Sequence, residues 1–260
     1  MEFVQKAVRT KQYRGDDGQT FKLNGKMLNA SLKGAVMLST VPTPERLVRG
    51  RDSERPAGLR PPEVLGLDTL EAVRVLAQEG ILDPGVLVFA SDTNPGGSRK
   101  GANIGTQEEA LCRQSTLRLA QEQLEYPIPL LGVAYIPQVQ GLLPSGVVTF
   151  GGICSALRQC LADETPTAKE AKFLEAKVAS VLGTAVAFGH RSLVLGAWGC
   201  GAFGNPPAAV SEAFATQLQS EAFRDAFDRV VFAIPDPSLR RAFAGTFGEA
   251  FGEALATPPP

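Results

Sequence analysis

The 260-residue sequence predicts an α/β fold, a three-layer α/β/α sandwich with helices on both faces of a central sheet. Short apolar runs such as Val86-Leu87-Val88-Phe89-Ala90 are continuous and do not alternate with polar residues, which is the pattern of strands buried on both faces. Segments with helical periodicity separate these runs. Two of the runs lead into glycine-rich loops, and open α/β sheets gather their ligands at the carboxyl ends of strands.

Residues 1–60 are polar and turn-rich, with Gly15-Asp16-Asp17-Gly18 and a charged stretch from Arg49 to Pro56. They are expected to form an irregular N-terminal extension packed on the core. The main domain is then expected over residues 61–256, and the tail 257–260, Thr257-Pro258-Pro259-Pro260, to be extended or disordered. Asp68 can N-cap a helix through Gln78 that buries Leu70, Val73 and Leu76. The strand at Val86–Ala90 follows, between the turn signals Pro84-Gly85 and Asn94-Pro95-Gly96-Gly97. A helix starts at Gln107, and further strands are predicted at Leu131–Ile136, Val147–Phe150, Ser192–Trp198 and Arg229–Ile234. The segment Ala168–Phe188 is helical, with Ala171, Leu174, Val178, Val181 and Leu182 on one face.

Composition narrows the function classes. Hydrophobic residues make up 44% of the chain, enough for a sizeable core, and the formal net charge is −1. Bulk electrostatic binding to nucleic acid or an anionic membrane is therefore not indicated, and an anionic ligand must be held locally. No apolar run reaches the ~18 residues of a membrane span, and the start Met1-Glu2-Phe3-Val4 has no signal-peptide core. Cys112, Cys154, Cys160 and Cys200 are scattered without a Cys-x-x-Cys pair, which argues against zinc and against a disulfide framework. An intracellular, cytoplasmic location is the simplest expectation. His190 is the only histidine, so a metal site or a histidine-dependent triad lacks its parts. It reads as a structural polar residue.

The first glycine-rich loop runs from Ser91 through Asn94, Gly96, Gly97 and Ser98 to Gly105, ahead of Thr106-Gln107-Glu108-Glu109. Paired glycines let a ligand approach the chain closely, and exposed amides before a helix N-terminus form an anion-binding nest. Thr106 and Glu109 also spell a capping box, which needs no function. That reading covers Glu109 but leaves Glu108 and the glycine-rich approach unexplained.

The second loop, Gly199-Cys200-Gly201-Ala202-Phe203-Gly204-Asn205, follows the strand ending at Trp198 and precedes Pro206-Pro207, residues suited to a helix start. Its glycines spell G-x-G-x-x-G, which raises the alternative of a nicotinamide-binding Rossmann domain. Against this, the fingerprint lies late in the chain, and no acidic residue closes the next strand ~20 residues on. Trp198 reads as core. Phe203, between glycines in a loop, reads as functional.

Taken together, Val88–Gly97, Gly105–Arg113 and Leu195–Pro206 resemble the signatures of microbial-type poly(ADP-ribose) glycohydrolases. The resemblance extends to Val230–Ser238, to the closing helix with Phe243, Phe247 and Phe251, and to Arg9–Tyr13; it is weaker between about residues 120 and 165. It implies a macrodomain with a mixed central sheet and metal-independent hydrolysis without a cofactor. By it, Glu109 corresponds to the catalytic glutamate and Glu108 to its substrate-positioning neighbour. Asn94, Gly96, Gly97, Ser98 and Gln107 would line the distal ribose and diphosphate. Gly199, Gly201, Ala202, Gly204 and Asn205 would wrap the diphosphate, with Phe203 against the distal ribose. Ser98 stands where the family has a third glycine.

The implied ligand is ADP-ribose or poly(ADP-ribose), with ADP-ribosylated protein as a partner, a monomeric chain and cleavage at polymer ends. Glu109 would protonate the leaving ribose oxygen and then take a proton from water, with substrate binding making it an acid. Two other classes stay open: a module that binds ADP-ribose without turnover, and a hydrolase acting on mono-ADP-ribosylated protein or nucleic acid.

Overall fold

A computed structural model describes residues 2–40, 61–97, 105–157 and 166–252. The first stretch forms helix α1 (Glu2–Thr10), strands β1 (Gln12–Arg14) and β2 (Thr20–Lys22), helix α2 (Gly25–Gly34) and strand β3 (Val36–Leu38). Then come β4 (Glu63–Leu65), α3 (Thr69–Gln78), β5 (Gly85–Phe89), α4 (Gln107–Gln114) and α5 (Leu117–Gln121). The second half holds β6 (Val133–Leu143), β7 (Gly146–Ser155), α6 (Ala168–Ala187), β8 (Ser192–Leu195), α7 (Pro207–Gln219), β9 (Arg229–Ala233) and α8 (Pro237–Phe251).

Seven strands make one mixed sheet in the order β3-β6-β7-β5-β8-β9-β4. The run β7-β5-β8-β9-β4 is parallel, while β6 lies antiparallel to both β7 and β3. The continuity of the apolar runs has a direct cause in β5. Leu87 joins the core under α6 and α7, whereas Val86 and Val88 join the core under α3 and α4. With both faces covered, no position in the strand is left for a polar residue. This is the three-layer sandwich expected from sequence.

Helix starts also follow local chemistry. Asp68 caps α3 by accepting from the Glu71 amide at 2.9 Å, and Asp236 caps α8 by accepting from the Ser238 and Leu239 amides at 2.9 and 2.8 Å. Both carboxylates thereby stand at the top edge of the sheet, beside the carboxyl ends of the parallel strands.

Four expectations are corrected. Residues 2–40 are not irregular. Gly15-Asp16-Asp17-Gly18 is the turn of the β1–β2 hairpin, where the Gly15 amide donates to the Gln19 carbonyl at 2.9 Å. Tyr13 and Leu23 are buried with Leu142, and the Tyr13 hydroxyl donates to the Leu143 carbonyl at 2.8 Å. Strands of three residues are too short to show a period. Because β3 pairs with β6, the sheet also takes in chain before the boundary placed at residue 61.

Strand β6 was expected over Leu131–Ile136, and Pro137 has no N–H for a ladder. Instead a register shift between Ile136 and Val139 absorbs the proline, with Gln138 at φ 50, and the strand runs on to Leu143. Strand β8 ends earlier than expected, at Leu195. The Trp198 amide donates to the Gly196 carbonyl at 2.8 Å, which turns the chain out of the sheet. The charged stretch from Arg49 to Pro56 and the tail 257–260 lie outside the described residues. No helix among the described residues is long and apolar enough to cross a membrane.

Candidate active site

The two glycine loops meet over the carboxyl ends of β5, β8 and β9. Between them lies a cleft of about 950 Å³, walled by Ser91, Asn94 and Gly97 on one side and Gly199, Gly201, Ala202 and Phe203 on the other. Helix α4 supplies Gln107, Glu108 and Glu109. Asp68, Leu70, Pro235, Asp236 and Leu239 line it as well.

The first loop is held by its own chemistry. Asn94 is exposed at the cleft, its amide donating to Ser91 Oγ at 3.1 Å, and its carbonyl accepts from the Gly97 amide at 3.0 Å. Gly96 and Gly97 both sit at positive φ, 74° and 75°, a conformation that L side chains avoid. A Cβ on Gly97 would stand 3.0 Å from Glu109 Cγ and 3.3 Å from Glu108 Oε2. The loop backbone therefore rests directly on both carboxylates.

The two glutamates differ sharply in their surroundings. Glu109 Oε2 accepts from the Gly105 amide at 2.7 Å and the Thr106 amide at 3.2 Å, so its carboxylate closes the capping box. Glu108 is 1% exposed. Its Oε2 accepts from the Ser91 amide at 2.8 Å and its Oε1 from Gln121 Nε2 at 2.7 Å. Burial pushes the Glu108 carboxyl up to about 7, with the neighbouring Glu109 charge adding to the rise; the Ser91, Gln121 and Gly96 donors hold it down in part.

Gln107, expected at the ligand, lines the cleft and also commits its side-chain amide to strand β5: Oε1 accepts from the Phe89 amide at 2.9 Å, and Nε2 donates to the Leu87 carbonyl at 2.8 Å. It pins the start of α4 to the sheet and so sets where the glutamates stand. Gly96 lies behind the cleft wall, where a Cβ would stand 3.1 Å from the Arg118 side chain. Ser98 lies outside the described residues.

In the second loop Gly199, Gly201, Ala202 and half-buried Phe203 face the cleft. Gly204 and Asn205, also expected at the ligand, are not part of its wall. Asn205 is 1% exposed, and both its amide and its Nδ2 donate to the Gly199 carbonyl, at 3.0 and 3.1 Å. It closes the loop from behind. At Gly199, φ is +72° and a Cβ would stand 2.6 Å from Asn205 Nδ2, so glycine is required there. Trp198 is buried core, as read from sequence, with Lys177 Nζ 5.6 Å from its ring centroid.

Sequence reasoning missed Ser91, Gln121 and the outer wall from Asp68 and Pro235 to Leu239. Asp68 and Asp236 carried a signal, as acids placed to cap helices or to follow a strand. Gln121 carried none. His190 lies at the opposite end of the sheet. Its Nε2 is 2.9 Å from the Tyr135 hydroxyl and its Nδ1 is 3.1 Å from the Asp83 carbonyl, beside the first residue of β5. That fits a structural role. Among the described residues no group of His, Cys, Asp or Glu is arranged to hold a metal ion.

Comparison with known proteins bears directly on this geometry. Residues 3–127, the part carrying the first loop and both glutamates, match the family description "Microbial-type PARG, catalytic domain". Among solved structures, a poly(ADP-ribose) glycohydrolase from Thermomonospora curvata aligns at 27% identity, over 94% of this chain and 96% of that one, with a TM-score of 0.76. In that part of its sequence and in its fold, the chain is similar to the microbial-type poly(ADP-ribose) glycohydrolases.

The glycohydrolase of Deinococcus radiodurans, solved in complex with ADP-ribose, aligns at 29% identity over 90% of this chain and all of that one (100%), with a TM-score of 0.70. The Thermomonospora curvata glycohydrolase is also solved with the inhibitor ADP-HPD, at 28% identity and a TM-score of 0.73. No curated protein sequence matches the chain. The fold is thus shared with these glycohydrolases across nearly the whole chain, including the half beyond residue 127. The rival nicotinamide-binding reading of Gly199, Gly201 and Gly204 finds no support in these alignments.

Proposed function

We propose that this chain hydrolyses the ribose–ribose O-glycosidic bonds of poly(ADP-ribose) and releases ADP-ribose in the cleft between the two glycine loops. The observation that carries this reading is the contact of Gly97 with both Glu108 and Glu109. A glycine loop that can wrap a diphosphate is pressed onto a pair of carboxylates at one end of the same cleft. Chemistry at the ribose next to that diphosphate falls naturally within their reach.

In this reading Glu109, in its acid form, gives a proton to the departing ribose oxygen. The C1–O bond breaks and an oxocarbenium-like ribose forms. Water then attacks that carbon and its proton goes to the Glu109 carboxylate, restoring the acid. Glu108 accepts a hydrogen bond from a ribose hydroxyl and orients the sugar. The Gly199–Phe203 backbone and the Phe203 ring hold the diphosphate and its ribose, and Asn94 completes the wall. The Glu109 carboxylate accepts from the Gly105 and Thr106 amides at the start of α4. Cleavage proceeds from polymer ends, by a monomer whose partners are ADP-ribosylated proteins.

A module that binds ADP-ribose without cleaving it is the second reading, favoured by the capping-box hydrogen bonds that already occupy Glu109. One experiment separates the two. Protein and its Glu109→Gln variant are incubated with poly- and mono(ADP-ribosyl)ated substrates, free ADP-ribose is measured, and binding is followed by calorimetry. Release from the polymer that is lost in the variant is expected. Release that survives the substitution would sink the catalytic role of Glu109, and binding without release would favour the module.

A further inference from the structure

Behind Glu108 lies a buried cluster of polar side chains that the proposed chemistry does not use. Gln121, the last residue of α5, is fully buried, and its Nε2 donates to Glu108 Oε1 at 2.7 Å. The other end of the same amide is also fixed: Gln121 Oε1 accepts from the Cys112 thiol at 3.4 Å. Nε2 has a second neighbour in Cys154 Sγ of β7, at 3.6 Å. Burial raises both thiols, so Cys112 and Cys154 stay protonated, and Cys112 stays a donor. A donor at Oε1 and a carboxylate at Nε2 leave one amide orientation with both ends satisfied.

Resting on the glycohydrolase reading, we propose that Gln121 is a positioning residue of the site: locked from behind by Cys112, its amide fixes the direction and charge state of Glu108 at the cleft. The alternative of a passive core amide does not fit the partners. A glutamine needed only for packing would be replaceable by methionine without loss, whereas the shortest bond this amide makes is the one to the Glu108 carboxylate, at 2.7 Å. The groups facing Glu108 are consistent with this. Glu109 stands beside it and pushes its carboxyl up, and Cys112 and Cys154 are held as neutral thiols. The Tyr126 hydroxyl is buried and likewise neutral, raised chiefly by burial. Arg118, which faces Cys112, is bound to Glu122 at 2.9 Å. Among the described residues, the side-chain donor bonded to Glu108 is therefore Gln121.

The test follows the Glu108 carboxyl itself by ¹³C NMR titration of side-chain-labelled protein, assigned with Glu108→Gln, in wild type and Gln121→Met. Removing a donor to the ionised form is expected to raise the midpoint by about one pH unit. The ascending limb of the rate of ADP-ribose release against pH should move upward with it, so that activity lost at neutral pH returns in more alkaline buffer. A merely structural role would lower the melting temperature and move neither midpoint. An unchanged Glu108 midpoint in folded Gln121→Met overturns the proposal. Should that variant not fold, Cys112→Ala frees the back of the amide, and a smaller shift in the same direction is expected; no shift there overturns the proposal equally. Absence of any release by wild type would sink the glycohydrolase reading alone, since the titration still decides whether Gln121 governs Glu108.

Discussion

Gly97 lies against Glu109 so closely that a methyl group on it would stand 3.0 Å from the glutamate Cγ and 3.2 Å from Oε1. Gly97→Ala therefore meets two obstacles, a left-handed backbone at φ +75° and a carboxylate that has to move. The backbone alone costs about 1 kcal/mol. Displacing Glu109 should reduce turnover of poly(ADP-ribose) by more than ten-fold, well beyond what that loss of stability explains. Urea unfolding and initial rates measured on the same preparation check the two effects separately.

Glu108 makes stability depend on pH in a direction opposite to most carboxylates. Its folded value is raised to about 7, from the ordinary range near 4.3. The stability it contributes is then fully present below the unfolded value and is lost as pH rises through the folded one. Wild type should lose up to about 3 kcal/mol between pH 4.5 and pH 7.5 from this group, and nothing further above that. Glu108→Gln should flatten the curve over that window. Melting temperatures in a pH series for both proteins give the comparison, and parallel curves would refute it.

Gln107 serves the fold before it serves the site. Gln107→Ala leaves the Phe89 amide and the Leu87 carbonyl without their side-chain partner. The expected loss is about 2–4 kcal/mol, from two backbone groups left unpaired at the end of a core strand. Turnover should fall as well, because the first turn of α4 is no longer pinned to β5. A variant as stable as wild type would show that water replaces the amide.

The second loop offers a contrast within five residues. At Gly201 an added Cβ meets nothing within 4 Å, and φ lies outside the positive range. At Gly199 it collides with Asn205 and φ is +72°. Gly201→Ala should fold as wild type yet bind ADP-ribose several-fold more weakly, since its methyl meets no protein atom and the residue lines the cleft. Gly199→Ala should lose both folding stability and binding. Calorimetric titration with ADP-ribose alongside thermal melts distinguishes the two, and unchanged binding in Gly201→Ala would place the ligand elsewhere along the cleft.

How far the sequence could be read depends on what kind of force shapes each part. The strand of Val86–Ala90 was legible because burial on two faces leaves a continuous apolar run. The helix at Thr69 was legible because Asp68 is a cap. Residues 2–40 were not, since three-residue strands have no period and their stability comes from contacts such as Tyr13 with Leu143, 130 positions apart. Glycine loops announce themselves through backbone needs, which is why Gly97, Gly199 and Gly201 were found. The division of labour inside those loops was hidden: Asn205 and Gln107 look like ligand residues by type, and only their hydrogen-bond partners show them holding the walls. Gln121 is one glutamine on a five-residue helix, and nothing in its neighbours along the chain announces the carboxylate it meets.

The two walls of the cleft are about a hundred residues apart in the chain and are joined through the β5–β8 pairing, which spans only Gly85↔Leu193 and Val86↔Val194. Within the sheet that short seam joins β3-β6-β7-β5 to β8-β9-β4, and both cores continue across it. A ligand gripping Gly97 on one bank and Gly201 on the other acts as a clasp across it. Occupancy then becomes a measure of whether the halves have docked: a chain with its seam open has no cleft to offer, and saturating ligand at a hundred times its dissociation constant would hold the seam shut by about 2.7 kcal/mol.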